Sequence, residues 1–249
     1  MKQCQQGFTL IELAIVLVVL TLLAGGVLVP LTKQIEVERI RSTRQIMEDT
    51  KQALIGYAMS HTATNGKPYL PCPDIDNNGT EDRNLATGQC IRTEGIFPWA
   101  TLGVGNADAW GNRLRYRVAT DLAIPQNHDF ANSTSGFGSS TTIDGKYQIR
   151  VVTPPNSTYT DPAGTPGIPV IAAIVVSNGP NGWGAMNSNG VSEAAPTSAD
   201  EQENLNGDPT FISRSPSEAS PTTTEFDDIV TWLPTSTLLA RVCPAGGCP

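Results

Sequence analysis

Between Leu13 and Leu31 lie 19 residues without one charged side chain. A helix needs roughly 20 apolar residues to cross the hydrocarbon core of a bilayer. A run of this length near an N-terminus therefore predicts a membrane-length helix before any other element can be placed. Glu12 sits just inside its leading edge. A charge in lipid costs about 2.5–3.5 kcal/mol on insertion scales, so Glu12 needs either a partner or a route to the interface. A secretory signal peptide does not fit, because its apolar region is about 7–15 residues long and precedes a small-residue cleavage site. Here the small residue, Gly7, comes before the run. A plain signal anchor remains as the other reading of the run.

The order of residues narrows this further. Gly7-Phe8-Thr9-Leu10-Ile11-Glu12, after a short polar leader and before a long aliphatic stretch, resembles the start of a type IV prepilin or a type II secretion pseudopilin. The resemblance covers about the first 31 residues. It implies cleavage after Gly7 by prepilin peptidase on the cytoplasmic side, N-methylation of Phe8, and storage in the bacterial inner membrane with the globular part periplasmic. It further implies assembly into a pilus or pseudopilus through an inner-membrane platform and other pilin or pseudopilin subunits. In that family the carboxylate at the position of Glu12 meets the terminal amine of a neighbouring subunit. Two charges that are each costly in lipid are relieved by pairing; snorkelling to the interface is the alternative for Glu12.

Without Lys2 the chain has 15 basic and 24 acidic side chains, a poor composition for holding polyanions. Nucleic acid is thus not expected as a partner. Gly and Pro total 42, which predicts short strands and long loops. Catalysis needs a positioned constellation, and two histidines with no G-x-S-x-G or H-E-x-x-H string supply none. The expectation is a protein that is not an enzyme.

Helical character continues past Pro30, which marks either a kink or the membrane exit. Ile40, Met47 and Leu54 recur every seven residues among mixed charges, which predicts one apolar face. Asn65-Gly66-Lys67-Pro68 should stop the helix. From Phe8 to Thr64, 57 residues, it would measure roughly 85 Å.

Next comes Cys72-Pro73-Asp74-Ile75-Asp76-Asn77-Asn78-Gly79. Oxygens at Asp74, Asp76 and Asn78, with Gly79 next and Asp82 at the ninth position, follow the first half of an EF-hand calcium loop. Leu85 stands where the bidentate Glu belongs, and a turn rich in Asx residues needs no metal. Calcium is the only cofactor the sequence suggests. Beyond Cys4 in the leader, four cysteines remain in a chain expected to be exported, where disulfides persist. Three connectivities are open; Cys72–Cys90 and Cys243–Cys248 close the smallest loops. Zinc is disfavoured by the lack of C-x-x-C and of ligand spacing at His61 and His128. Free buried thiols are the remaining alternative.

Asp108-Ala109-Trp110-Gly111-Asn112 leads into a strand with Leu114, Tyr116 and Val118 on one face and Arg113, Arg115 and Arg117 on the other. The arginine face is either solvated or meets another subunit. Further strands are expected at 147–153 and 169–177, the latter central. Residues 185–225, polar and aperiodic, predict a long exposed loop. The turn-and-strand resembles the matching segment of pseudopilins. So does the order Ser177-Asn178-Gly179-Pro180, long loop, Asp227-Asp228-Ile229 before Trp232. In their C-terminal part a loop between late strands can bind calcium. The resemblance thus brings in Asp227 and Asp228 as a second calcium reading, with Asn204 and Asp208; acids exposed in a polar loop are the alternative.

The expected fold class is α+β and pilin-like. A long N-terminal helix, half transmembrane and half amphipathic, packs on a small antiparallel sheet of about four strands with long loops. Its divisions are a leader at 1–7, a membrane and filament-core helix at 8–31, an amphipathic helix at 32–64 and a β-rich domain at 65–249. The expected role is structural, as a minor pilin or pseudopilin. A calcium-dependent adhesive pilin and a membrane-anchored periplasmic enzyme are the alternatives.

Overall fold

The computed structural model of the protein describes residues 9–61, 68–119, 122–123, 148–153, 158–160, 171–208, 210–220 and 224–242. Side chains are described for these except at 22–31, 148–153 and 158–160. Helix α1 spans Leu10–Ser60, 51 residues, and stays helical through Pro30. It closes four residues before the expected stop, where His61 N–H donates to Tyr57 O at 2.9 Å. The chain divides into two compact units, Met1–Arg41 and Ser42–Pro249. In the first, Leu10, Ile11, Leu13 and 15–20 present exposed aliphatic side chains. Among the described residues no helix is long and apolar enough to cross a membrane; the second half of the apolar run lies at side chains outside the description.

In the second unit, α1 from Ser42 onward buries Thr43, Met47, Thr50, Leu54, Tyr57 and Ala58. Steps of three and four residues put these on one face. Thr50 fits there because its hydroxyl donates to Met47 O at 2.6 Å, and Thr43 Oγ accepts from Ala109 N–H at 3.2 Å. The stripe shares a core with a four-stranded antiparallel sheet, ordered β1-β2-β5-β7. These strands are β1 (Glu94–Ile96), β2 (Arg115–Val118), β5 (Ile171–Ser177) and β7 (Ile229–Pro234). Every residue of β5 is buried, as its unbroken apolar run implies. A short helix, α2 (Trp99–Leu102), lies between β1 and β2 in the chain, and another, α4 (Thr235–Val242), follows β7. A second sheet was not expected. It is ordered β4-β3-β6, from β3 (Gln148–Thr153), β4 (Thr158–Thr160) and β6 (Thr210–Ile212), with β3 and β6 parallel.

Within the segment 185–225, residues 188–195 are exposed as its composition suggests, but the stretch beyond them is ordered. It forms helix α3 (Ala199–Glu203) and β6, and buries Ser198, Glu201, Asn204, Phe211 and Ile212. Polar contacts do the work that apolar burial does elsewhere. Arg214 donates to Asp200 Oδ2 at 2.7 Å and lies 4.3 Å over the Phe226 ring, while Ser217 and Phe226 exchange backbone bonds at 2.9 and 3.0 Å. The Cys72–Cys90 disulfide is present as expected; Cys243 and Cys248 lie outside the described residues.

Candidate functional site

Gly7 and Phe8 lie outside the described residues, so the structure meets the N-terminal motif at Thr9. Thr9 precedes the first turn of α1, and Glu12 is three residues on. Glu12 Oε2 accepts from Thr9 N–H at 3.0 Å and from its hydroxyl at 2.8 Å; Glu12 N–H returns to Thr9 Oγ at 3.3 Å. This is a reciprocal capping box. In the single chain, the carboxylate closes the start of its own helix.

The early acidic loop satisfies itself. Asp74 is fully buried, and its carboxylate accepts N–H bonds from Asp76, Asn77 and Gly79 at 3.1, 2.8 and 2.8 Å. Burial raises its pKa, and those amides oppose the rise. Asp82 accepts from Ile75 N–H at 2.7 Å, Asp76 from Asn78, and Asn78 Oδ1 from Thr80 N–H at 2.7 Å. Gly79 turns the loop with φ +86°, and a Cβ there would stand 2.4 Å from the Trp99 ring. Asp74, Asp76 and Asp82 do converge, with ligand oxygens within 4.8 Å of one another. Asn78 spends its amide oxygen on Thr80, and no oxygen of these carboxylates is both buried and without a partner. The loop behaves as linked Asx turns.

The late cluster differs. Asp227 and Asp228 precede β7, and Glu201 is delivered by α3; their oxygens likewise lie within 4.8 Å of one another. Glu201 is 1 % and Asp228 3 % exposed. Glu201 Oε1 accepts from Asp227 N–H at 3.1 Å, Asp227 Oδ2 from Asn181 N–H at 3.0 Å, and Asp228 Oδ2 from Asn204 Nδ2 at 2.8 Å. No hydrogen bond of ordinary geometry reaches Asp228 Oδ1 or Glu201 Oε2, both buried. Desolvation pushes Asp228 well above the usual carboxylate range; Asn204 opposes this, Glu201 and Asp227 add to it, and Arg115 opposes it. Glu201 is raised too, chiefly by burial, against the Asp227 amide.

A buried, unpartnered carboxylate oxygen demands a proton or a cation. An all-oxygen set suits a hard cation such as calcium, and lacks the sulfur and nitrogen that zinc prefers. Glu201, Asp227 and Asp228 are the side chains that would hold it. Asn204 belongs to the cluster as a hydrogen-bond donor. Asp208 does not join, since its oxygens take Thr210 N–H at 2.6 Å and Asn206 Nδ2 at 3.1 Å. Glu201 was missed because nothing in its spacing connects it to Asp227, 26 residues away.

The arginine face is engaged within the chain rather than freely solvated. Arg113 lies 3.9 Å over Trp99 and donates to Asn77 Oδ1 at 3.0 Å, Asn106 O at 2.7 Å and Ser188 O at 3.1 Å. Arg115 and Arg117 both close on Glu94, and Arg117 also donates to Gly207 O at 2.7 Å. These side chains border a cleft of about 710 Å³ between β1, β2 and the segment 184–207. They hold that segment against the sheet.

Residues 2–28 match the family described as the prokaryotic N-terminal methylation motif. The match spans the stretch from the leader through Gly7, Phe8 and Glu12, about a tenth of the chain. It is consistent with a member of the type IV pilin or pseudopilin family. No curated protein and no solved structure matches the chain.

Proposed function

We propose that the chain is the precursor of a pilin-like structural subunit, a minor pilin or pseudopilin, rather than an enzyme. The match to the methylation motif at residues 2–28 carries this reading. Prepilin peptidase cuts after Gly7 and the new amine of Phe8 is methylated. The apolar part of α1 then stores the subunit in the inner membrane and later packs in a filament. The exposed aliphatic side chains from Leu10 to Leu20 support this use, since an aliphatic helix surface of that kind requires lipid or other helices. Glu12 gives up its capping box with Thr9 when it meets a neighbouring subunit's terminal amine. Assembly partners are other subunits and the inner-membrane platform.

The domain from Ser42 serves this role as a rigid surface body. Calcium at Glu201, Asp227 and Asp228 neutralises the buried carboxylates and ties α3 to the start of β7. Glu12→Ala tests the assembly role. The variant is expected to insert and be cleaved, yet to be missing from sheared filaments. Normal incorporation would remove Glu12 from this part.

A further inference from the structure

The early acidic loop holds no orphaned oxygen, yet it presents one side chain in an unusual electronic setting. Asn78-Gly79-Thr80 is an Asn-x-Thr string, the acceptor pattern for N-linked sugar in exported chains. Two others, at Asn132 and Asn156, lie outside the described residues at their asparagines. They follow Phe130 and Pro154 by two positions, whereas Asn78 follows Asp76.

Asp76, Asn78 and Thr80 are all exposed, on a loop pinned at its base by the Cys72–Cys90 disulfide. An amide nitrogen is a poor nucleophile because its lone pair is delocalised into the carbonyl. A base at the N–H counters that by freeing the electron pair, and donors on the carbonyl oxygen assist it by making the N–H more acidic. The loop supplies both. Asn78 Oδ1 accepts from the Thr80 N–H at 2.7 Å and from the Thr80 hydroxyl. Asn78 Nδ2 donates to Asp76 Oδ2 at 2.9 Å. Charge-assisted bonds of this last kind are the stronger class. The neighbouring Gly79 N–H, whose attack on the asparagine side chain would deamidate an Asn-Gly pair, is held by Asp74 Oδ2 at 2.8 Å.

We propose that Asn78 is a glycosylation site, taking an oligosaccharide from a polyprenyl-pyrophosphate donor through a membrane transferase. Asn78 Nδ2 forms the new bond to the anomeric carbon. The bond from that carbon to the pyrophosphate oxygen breaks, and its electron pair leaves with the lipid pyrophosphate. The amide proton departs toward the carboxylate of Asp76; nothing is oxidised or reduced. The proposal rests on the export reading above, since the domain must reach the compartment where such donors face.

The test is mass spectrometry of the full-length protein purified from the membranes of its own cells, intact and as mapped peptides. The expected result is a glycan mass on the peptide bearing Asn78. It should be lost in Asn78→Gln and also in Thr80→Ala, which keeps the asparagine, and reduced in Asp76→Ala. A chain trimmed after Gly7 and oxidised at Cys72–Cys90, but unmodified at Asn78, overturns the site and leaves the export reading intact. Sugar on Asn132 or Asn156 alone overturns it as well. A chain starting at Met1 with both cysteines reduced overturns the export reading and the site together.

Discussion

Asn204 and Asp228 meet inside the domain across 24 residues of chain, with Nδ2 donating to Oδ2 at 2.8 Å. The same asparagine accepts from Ile212 N–H at 2.7 Å and donates to Ile212 O at 3.1 Å. One side chain thereby joins the end of α3, β6 and the start of β7. A hydrogen bond contributes about 0.5–1.5 kcal/mol net, and leaving a partner buried and unpaired costs about 1–3 kcal/mol more. Asn204→Ala is therefore expected to destabilise the domain by about 3 kcal/mol in denaturant unfolding. Asn206→Ala, two residues on and exposed, should change stability little.

Stability should depend on pH in a particular direction. Glu201 and Asp228 are held above the ordinary carboxylate range, chiefly by burial. The folded chain keeps protons that the unfolded chain releases above about pH 4. With chelator present, stability contributed by these groups is fully present below that pH and falls as pH rises through the raised pKa values. Melting temperature measured from pH 5 to 8 in chelator should decline, and Asp228→Asn should flatten the decline.

Calcium should oppose that loss. A ligand that binds only the folded state stabilises it by about 2.7 kcal/mol at a hundred times its dissociation constant. Melting of the full-length protein in detergent should shift upward with calcium at neutral pH. The shift should survive Asp74→Ala with Asp76→Ala, and vanish in Asp228→Asn or Glu201→Gln. Loss through the first pair alone would move the ion to the early loop.

The disulfide closes a loop whose ends are 18 residues apart. Closing a loop of about 15 residues is worth about 3 kcal/mol in the chain-entropy treatment. Cys72→Ser with Cys90→Ser should lower stability by about that amount. The calcium shift should persist, because the late cluster holds no residue of this loop.

Period and punctuation made much of the fold legible. The recurrence of Met47 and Leu54 every seven residues, the alternation through Leu114, Tyr116 and Val118, and the apolar run at β5 each announce their element. The part of 185–225 beyond residue 195 was misread because it orders through Arg214, Asn204 and Glu201, and polar contacts leave no periodic trace. The arginines of β2 misled for a related reason. Alternation shows that Arg113, Arg115 and Arg117 share a face, but not that Trp99, Glu94 and Gly207 cover it. At the acidic sites, Asp74, Asp76 and Asn78 have the spacing of a metal loop, yet backbone amides take their oxygens. Glu201 completes the late cluster through a tertiary contact that no local motif encodes.

The N-terminus of the mature chain tests the central claim most directly. Intact-mass and peptide mass spectrometry of protein extracted from membranes should find a chain that begins at an N-methylated Phe8 and lacks Cys4. In Gly7→Leu, the leader should remain attached. Wild-type protein that begins at Met1 or Lys2 and retains Cys4 would contradict the account.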